Sequence, residues 1–163
     1  MRCVASVLVA VAIGVLSGCG AHAHTAQELR LARRVFLEDM ATGRLEHPEE
    51  IYAADFVSHA AWFDYTLAQD QAATRSWREA MPDLKVSVTR TVAERDLVAL
   101  QWHAAGTNTV AAGGMPGKGA RVAIDGMTFF RFVRGRIAEE WSIVDVVTLG
   151  QQLNATSAPR PGH

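Results

Sequence analysis

The sequence changes its hydrophobic period at Pro82, and this change limits the folds that the chain can adopt. Before Pro82, apolar residues recur at helical spacing, as in the series Leu29, Ala32, Phe36 and Met40. After Pro82, apolar residues alternate with polar ones, as they do in β-strands. Helices followed by consecutive strands predict an α+β domain.

Three helices are predicted before this change of period. The first opens at Thr25 with a capping box and closes at Gly43. A short second helix is predicted for the stretch PEEIYAADF, which begins at Pro48, and a third for much of 67–81.

Four strands are predicted after it, each antiparallel to the one before. Their sequences are LKVSVTRTVAE, RDLVALQWHAAGT, RVAIDGMTFFRFV and RIAEEWSIVDVV, with a possible bulge at Gly126 in the third. The glycine-rich stretch GGMPGKG is predicted to be a mobile loop over the mouth of a cavity. We therefore expect a curved antiparallel sheet packed on about three N-terminal helices.

The N-terminus carries a secretory signal. A single positive charge at Arg2 precedes an apolar run, and small residues follow the run. The apolar run is too short for a membrane span. The segment Leu16-Ser17-Gly18-Cys19 resembles the lipobox of bacterial lipoproteins, which implies cleavage before Cys19 and acylation of that cysteine. Acyl chains would hold the protein on a membrane of the cell envelope, outside the cytoplasm. The alternative is an ordinary secretory signal in which Cys19 is incidental.

The expected organisation is a signal peptide over 1–18, an anchor and linker over 19–24, a domain over 25–153 and a disordered tail over 154–163. Of the 2 cysteines in the chain, only Cys19 would remain after cleavage, so no intramolecular disulfide is available. The net charge of −1 does not favour nucleic acid as a partner. No spacing of ligand residues resembles a zinc site.

A carboxyl group stands in the apolar alternation of the last strand. Without a bulge, Ile137, Glu139, Trp141, Ile143 and Asp145 point to one face of the sheet. If that face lines an apolar pocket, burial raises the pKa of Asp145 toward the range useful for acid–base catalysis.

Arg90 occupies a similar position between Val88 and Val92. A buried guanidinium needs an anionic partner, and Asp145 or Glu139 could supply one. Asp145 is therefore a catalytic acid–base group, one half of a structural ion pair, or a side chain that reaches solvent at the end of the strand.

Two histidines are further candidates. His59 follows the second helix, and His103 lies beside Trp102 on the opposite face of the second strand. A lone histidine in such a setting is more often packed and hydrogen-bonded than catalytic.

Several segments together resemble one protein family. They are Met81–Leu84, Gly106-Thr107, the series Arg131, Gly135, Ile137, Glu139, Trp141 and Asp145, and Gln152-Leu153. This pattern, which covers roughly 29–153, is similar to the SnoaL-like polyketide cyclases, or ester cyclases, of the nuclear-transport-factor-2-like superfamily.

The resemblance implies a cone-shaped sheet around helices that encloses an apolar pocket. It also implies aldol ring closure without metal or cofactor, with an acid–base aspartate at the position of Asp145. His59, Arg90, His103 and Trp141 would then line the pocket and bind substrate.

The leading hypothesis is an envelope lipoprotein that binds a small apolar carbonyl compound and cyclises or isomerises it. The alternatives are a non-catalytic ligand-binding module in which Asp145 pairs with Arg90, and a module that forms homodimers through its open sheet.

Overall fold

The computed structural model describes residues 16–60 and 63–154, with side chains from Thr25 onward. Its helices are α1 (Leu16–Thr42), α2 (Pro48–Ile51), α3 (Leu67–Ala80) and α4 (Val146–Asn154). Its strands are β1 (Tyr52–His59), β2 (Asp64–Tyr65), β3 (Lys85–Glu94), β4 (Leu97–Asn108), β5 (Ala111–Ala112), β6 (Met115–Pro116), β7 (Ala120–Val133) and β8 (Arg136–Val144). The α+β class predicted from the sequence is confirmed.

Six strands form one sheet in the order β2-β1-β8-β7-β4-β3. The four strands predicted from the sequence are antiparallel to their neighbours, as expected, and the sheet is mixed because β1, which was not predicted, runs parallel to β8. The parallel pair arises because the chain crosses from β1 through α3 and the β3–β7 strands before β8 returns beside β1. The strands β5 and β6 form a separate small hairpin.

The second predicted helix is mostly a strand. The helix α2 ends at Ile51, and the residues that follow form β1, which pairs with β8 and β2. Tyr52 and Phe56 are buried, and their rings meet edge to face with centroids 4.8 Å apart. Pairing with the sheet outweighs the helical spacing of these apolar residues.

The first helix starts earlier than predicted and ends where expected. It begins at Leu16, so Thr25 lies inside it and does not cap it. It ends at Thr42, where Gly43 takes a left-handed φ of 65° and its N–H donates to the Asp39 carbonyl at 2.7 Å. None of the described helices is long and apolar enough to cross a membrane.

The sheet has two unlike faces. The inner face packs against α1 and α3 and carries buried residues such as Leu100, Trp102 and Phe130. The outer face is open along β7 and β8, where Met127, Phe129 and Ile143 are exposed.

Gly126 does not form the predicted bulge. Its register with β4 and β8 is continuous, opposite Trp102 and Val144. A Cβ at this position would lie 2.1 Å from the Trp102 ring, so the glycine leaves the space that the indole occupies on the inner face.

Two of the segments that carry the family resemblance, Met81–Leu84 and Gly106-Thr107, are joined by hydrogen bonds between the α3–β3 connection and β4. The Asp83 carboxylate accepts hydrogen bonds from the Thr107 N–H at 2.6 Å and the Thr107 hydroxyl at 2.8 Å. These bonds lower the pKa of Asp83. They tie the α3–β3 connection to β4, which gives these residues a structural role.

The C-terminal end differs from its prediction. The last strand stops at Val144, and α4 follows and packs on β7. The Gln152 amide donates to the Ala123 carbonyl at 2.9 Å and accepts from the Ala123 N–H at 2.8 Å. Asn154 of the predicted tail belongs to this helix, and 155–163 lie outside the described residues, as do 1–15 of the signal and the side chain of Cys19.

Candidate functional site

A cavity of about 160 Å³ lies between α1, α3 and the inner face of the sheet. Its walls are mainly apolar and aromatic, and they also hold carboxyl and hydroxyl groups. The lining residues are Val35, Phe36, Asp39, Met40, Tyr52, Asp70, Ala73, Thr74, Trp77, Trp102, Phe130, Glu140, Ser142 and Val144. An apolar hollow with a few convergent polar groups is the usual form of a small-molecule site.

Glu140 lies on the inner face of β8, opposite Phe130, and is 8% exposed. Burial, and then the negative charges of Asp70 and Asp39, raise the pKa of Glu140 to about 8. This carboxyl group therefore holds its proton at neutral pH.

A chain of hydrogen bonds positions Glu140. The Trp102 indole donates to the Thr128 hydroxyl at 3.1 Å, and the Thr128 and Ser142 hydroxyls lie 2.8 Å apart. The Ser142 hydroxyl donates to Oε1 of Glu140 at 2.8 Å. Thr128 and Ser142 meet because they are direct partners in the β7–β8 register.

Asp39 and Asp70 bring two more carboxyl groups from α1 and α3. Burial, and then the charge of Asp70, raise the pKa of Asp39 to about 6, although Arg75 and a hydrogen bond with Thr74 act against the rise. Burial also raises the pKa of Asp70, against a hydrogen bond with Ser58.

Tyr52 completes the set of titratable groups in the cavity. Burial, and then the nearby charge of Glu140, raise the pKa of its hydroxyl well above the usual value. Tyr52 is therefore a neutral phenol at any pH relevant here.

Asp145 does not line this cavity, so the pocket environment expected for a catalytic role was wrong, and its side chain reaches solvent at the end of β8, which was the other alternative. It is exposed, and its carboxylate accepts hydrogen bonds from the Thr148 N–H at 3.0 Å and the Thr148 hydroxyl at 2.6 Å. These bonds lower the pKa of Asp145, where a rise was expected. Asp145 thus caps the N-terminus of α4, and its catalytic role stays a prediction without the pocket on which it depended.

A bulge explains the error. In the β7–β8 register, Arg131 faces Glu139 and Phe132 faces Ile137, so Ala138 is the extra residue. Beyond a bulge the two faces exchange. Ile137 is therefore on the inner face, while the odd-numbered residues that follow it point outward.

Trp141 and His59 lie together away from the cavity. Their rings stack with centroids 4.8 Å apart. The imidazole Nδ1 lies 3.0 Å from the Asp64 carboxylate, and Nε2 lies 3.6 Å from Glu139, which also pairs with Arg131. Neither ring lines the cavity, so the expected placement of these two residues was wrong.

Arg90 and His103 are also absent from the cavity lining. A second bulge, at Thr89, turns Arg90 outward, opposite Gln101. The Arg90 guanidinium donates a hydrogen bond to Oε1 of Gln101 at 2.8 Å. The predicted Arg90–Asp145 pair is not formed. His103 lies on the face opposite Trp102, as predicted, and its Nδ1 is 2.9 Å from the Asp125 carboxylate.

The three cavity carboxyls were missed in the sequence. Asp39 lies three residues after Phe36 and next to Met40, so it falls on the apolar stripe of α1. A carboxyl group on the apolar stripe of a helix indicates a buried acid, so Asp39 could have been found from the sequence. Glu140 gave no such signal, because only the bulge at Ala138 brings it to the inner face.

The glycine-rich stretch lies apart from the cavity. It contributes the turn between β5 and β6, and the Gly117 N–H donates to the Asn108 side chain at 2.8 Å. None of its residues lines the cavity, so the predicted position over the cavity mouth was wrong.

Comparisons with known proteins agree with this fold. The family model of the SnoaL-like polyketide cyclases matches residues 30–153. The chain therefore belongs to the SnoaL-like polyketide cyclase family. None of the curated proteins matches the chain significantly.

Solved structures of this shape are distant in sequence. A proposed SnoaL-like polyketide cyclase from Jannaschia sp. CCS1 is 20% identical with a TM-score of 0.71, over 81% of this chain and 94% of its own. AclR, a proposed hydroxylase from Streptomyces galilaeus, is 22% identical with a TM-score of 0.70, over 82% and 89%. IdmH, a proposed polyketide cyclase from Streptomyces antibioticus, is 26% identical with a TM-score of 0.66, over 78% and 98%.

Proposed function

We propose that the cavity binds a small apolar molecule bearing a carbonyl group, and that Glu140 and Asp39 act on it as acid and base. The observation that carries the proposal is that one cavity holds two buried carboxyls, one with a pKa of about 8 and one of about 6. Near pH 7 the first is protonated and the second ionised. Carboxyls whose environments separate their pKa values are suited to opposite roles.

The chemistry would be enolisation. The Asp39 carboxylate takes a proton from the carbon next to the carbonyl, while Glu140 gives its proton to the carbonyl oxygen. In aldol cyclisation the enol carbon bonds to a second carbonyl carbon of the same molecule, the enol O–H returns its proton to Glu140, and Asp39 gives its proton to the new alkoxide oxygen. In isomerisation of a β,γ-unsaturated ketone, Asp39 instead returns its proton to the γ-carbon of the dienol, while the enol O–H returns its proton to Glu140. The chain from Trp102 through Thr128 and Ser142 would hold Glu140 in place during both transfers.

The test is exchange of the α-protons of cyclohexanone for deuterium, followed by NMR in D₂O. We expect the protein to accelerate exchange with a bell-shaped pH profile, rising as Asp39 ionises near 6 and falling as Glu140 ionises near 8. Among the described residues, Asp70, Tyr52 and Arg75 also interact electrostatically with this pair, and none of them is assigned to the reaction.

Variants separate the alternatives. Glu140→Gln and Asp39→Asn should abolish exchange, and Asp145→Asn should retain it. If Asp145→Asn alone abolishes exchange, the catalytic group is at Asp145 and the proposal fails. If cyclohexanone binds but wild type never exchanges its protons, the protein is the non-catalytic binding module.

We also propose that the protein is a lipoprotein of the cell envelope, anchored through Cys19. The support is the resemblance of 16–19 to a lipobox. Cys19→Ala should move the expressed protein from the membrane fraction to the soluble fraction and abolish labelling by a radioactive fatty acid. Membrane association that persists in this variant would contradict the anchor.

The outer face supports a second proposal, a homodimer. Met127, Phe129 and Ile143 are 50%, 41% and 70% exposed on neighbouring strands, which leaves apolar surface open to a second copy. Phe129→Asp should convert a dimer to a monomer in sedimentation, and a wild type that sediments as a monomer would contradict the proposal.

A further inference from the structure

Asp70 is the cavity carboxyl that the proposed acid–base pair leaves unused. It lies in the first turn of α3, and the Ser58 hydroxyl of β1 is hydrogen-bonded to it. Its negative charge acts on both other acids, because it raises the pKa of Asp39 and of Glu140. The three carboxyls therefore share one electrostatic environment.

No positive side chain lines the cavity with them. All its lining residues are described, and none is lysine, arginine or histidine. Arg75 acts on Asp39 from outside the lining and is exposed. Buried charges in proteins are normally paired.

Asp39 also has an unused hydrogen-bond acceptor. The residue is 7% exposed, and its Oδ1 has no hydrogen-bond partner among the described residues. A buried acceptor without a partner costs free energy. An N–H donor on a bound molecule would remove that cost.

The walls suit an organic cation of limited size. Phe36, Tyr52, Trp77, Trp102 and Phe130 line the cavity, and aromatic faces attract ammonium groups. The volume of about 160 Å³ is close to that of an engineered apolar cavity that holds benzene, about 150 Å³. The cavity therefore has room for about one ring.

We propose that this cavity selects a small amine in its protonated form, about one ring in size, with Asp70 as its counter-ion. The inference rests on the proposed function in so far as the same cavity is the ligand site. It adds the class of ligand: the carbonyl compound carries an ammonium group, and anions are excluded. Asp70 is a recognition residue in this assignment, while Asp39 and Glu140 keep the chemistry.

The selection of a protonated amine can be tested with three ligands that have the same ring and different charges. They are cyclohexylamine, cyclohexanone and cyclohexanecarboxylate, titrated into the protein by calorimetry at pH 7. We expect the amine to bind about ten-fold or more tightly than the ketone, since it gains a charge-assisted hydrogen bond and aromatic contacts. The carboxylate should show no binding.

The matched variants lie on one helix. Asp70→Asn keeps an oxygen for the Ser58 hydroxyl, and should reduce the affinity for the amine to that for the ketone. Glu79→Gln removes the same charge from an exposed position of α3 and should leave the affinity unchanged.

Proton release on binding is a second measurement that tests the role of Asp70. Bound ammonium favours the ionised form of Asp70, whose pKa burial raises, so amine binding should release protons as the pH is lowered below neutral, measured as a dependence of binding enthalpy on the buffer. The ketone should release none. Amine binding without proton release, or with full affinity in Asp70→Asn, would overturn the role of Asp70.

The outcomes distinguish this inference from the proposed function. A ketone that binds as tightly as the amine overturns the inference, and its α-proton exchange still supports the proposed function. An amine that binds through Asp70 while no ketone exchanges its protons supports the inference and overturns the proposed chemistry. If none of the three ligands binds, both are wrong.

Discussion

Two neighbouring glutamates on β8 differ in charge because they lie on opposite faces of the sheet. Glu139 points outward and pairs with Arg131, and this hydrogen bond lowers its pKa. Glu140 points inward, where burial raises its pKa to about 8. The face of the strand on which a carboxyl group lies therefore decides whether it is ionised or protonated at neutral pH.

The bulge at Ala138 sets this difference. It places Glu140 and Ser142 inside and leaves Glu139 and Trp141 outside. Variants at the inner and outer positions should therefore respond differently to pH.

The largest effect is expected for Glu140→Gln at high pH. The folded-state pKa of about 8 lies above the ordinary value of 4.5, so the folded protein loses stability as the pH rises from about 4.5 to about 8. Glutamine removes this loss and still accepts from Ser142. We expect the free energy of unfolding at pH 9 to rise by about 3–5 kcal/mol, with little change at pH 4.5, in urea denaturation.

Glu139→Gln is the control for this prediction. It makes the same chemical change one residue away, on the outer face, and removes a carboxylate that is stabilised by Arg131. It should not stabilise the protein at pH 9. Equal stabilisation by both variants would show that overall charge, and not burial of Glu140, is responsible.

A smaller effect is expected for Gly126→Ala, which tests the packing of Trp102, the first residue in the chain of hydrogen bonds that leads to Glu140. The new Cβ would overlap the Trp102 ring, whose indole donates to Thr128. We expect a loss of about 1–3 kcal/mol in the free energy of unfolding. Gly150→Ala in α4 meets nothing within 4 Å and should be neutral or stabilising, so equal losses would argue against a tight contact at Trp102.

The smallest effect is expected for Asp145→Ala. The lowered pKa of Asp145 means that its carboxylate stabilises the fold above the ordinary pKa of 3.8, and that this contribution is lost as the pH falls through the folded-state value. The variant should melt a few degrees below wild type at pH 7 and together with it at acid pH. A rise in melting temperature at pH 7 would indicate a buried charge at this position.

The sequence predicted the class of fold because that class depends on local periodicity. The change of period at Pro82 predicts the end of α3 and the four long strands, and the family resemblance predicts a sheet packed on helices, as the structure has it. It did not predict the strand β1, because this strand pairs with β8, which lies far away in the sequence, and the local spacing of its apolar residues is helical.

The site was less predictable than the fold. A bulge depends on hydrogen bonding between strands, which the sequence does not show. Parity without a bulge puts Asp145 inside the pocket and Glu140 outside it, whereas the extra residue in β8 brings Glu140 to the inner face. The bulge at Thr89 likewise changes the face of Arg90, which it turns outward. His103 lies on the face opposite Trp102, as strand parity predicted, because β4 pairs with β7 without a shift, but that face does not line the cavity.

The most direct test of the account is a carbon-13 NMR titration of the side-chain carboxyls, with Glu140→Gln and Asp145→Asn to assign the two signals. We expect the Glu140 carboxyl to titrate with a pKa of about 8 and that of Asp145 below 3.8. A Glu140 signal that titrates near 4.5 while that of Asp145 is raised would contradict the assignment of the cavity as the site of chemistry.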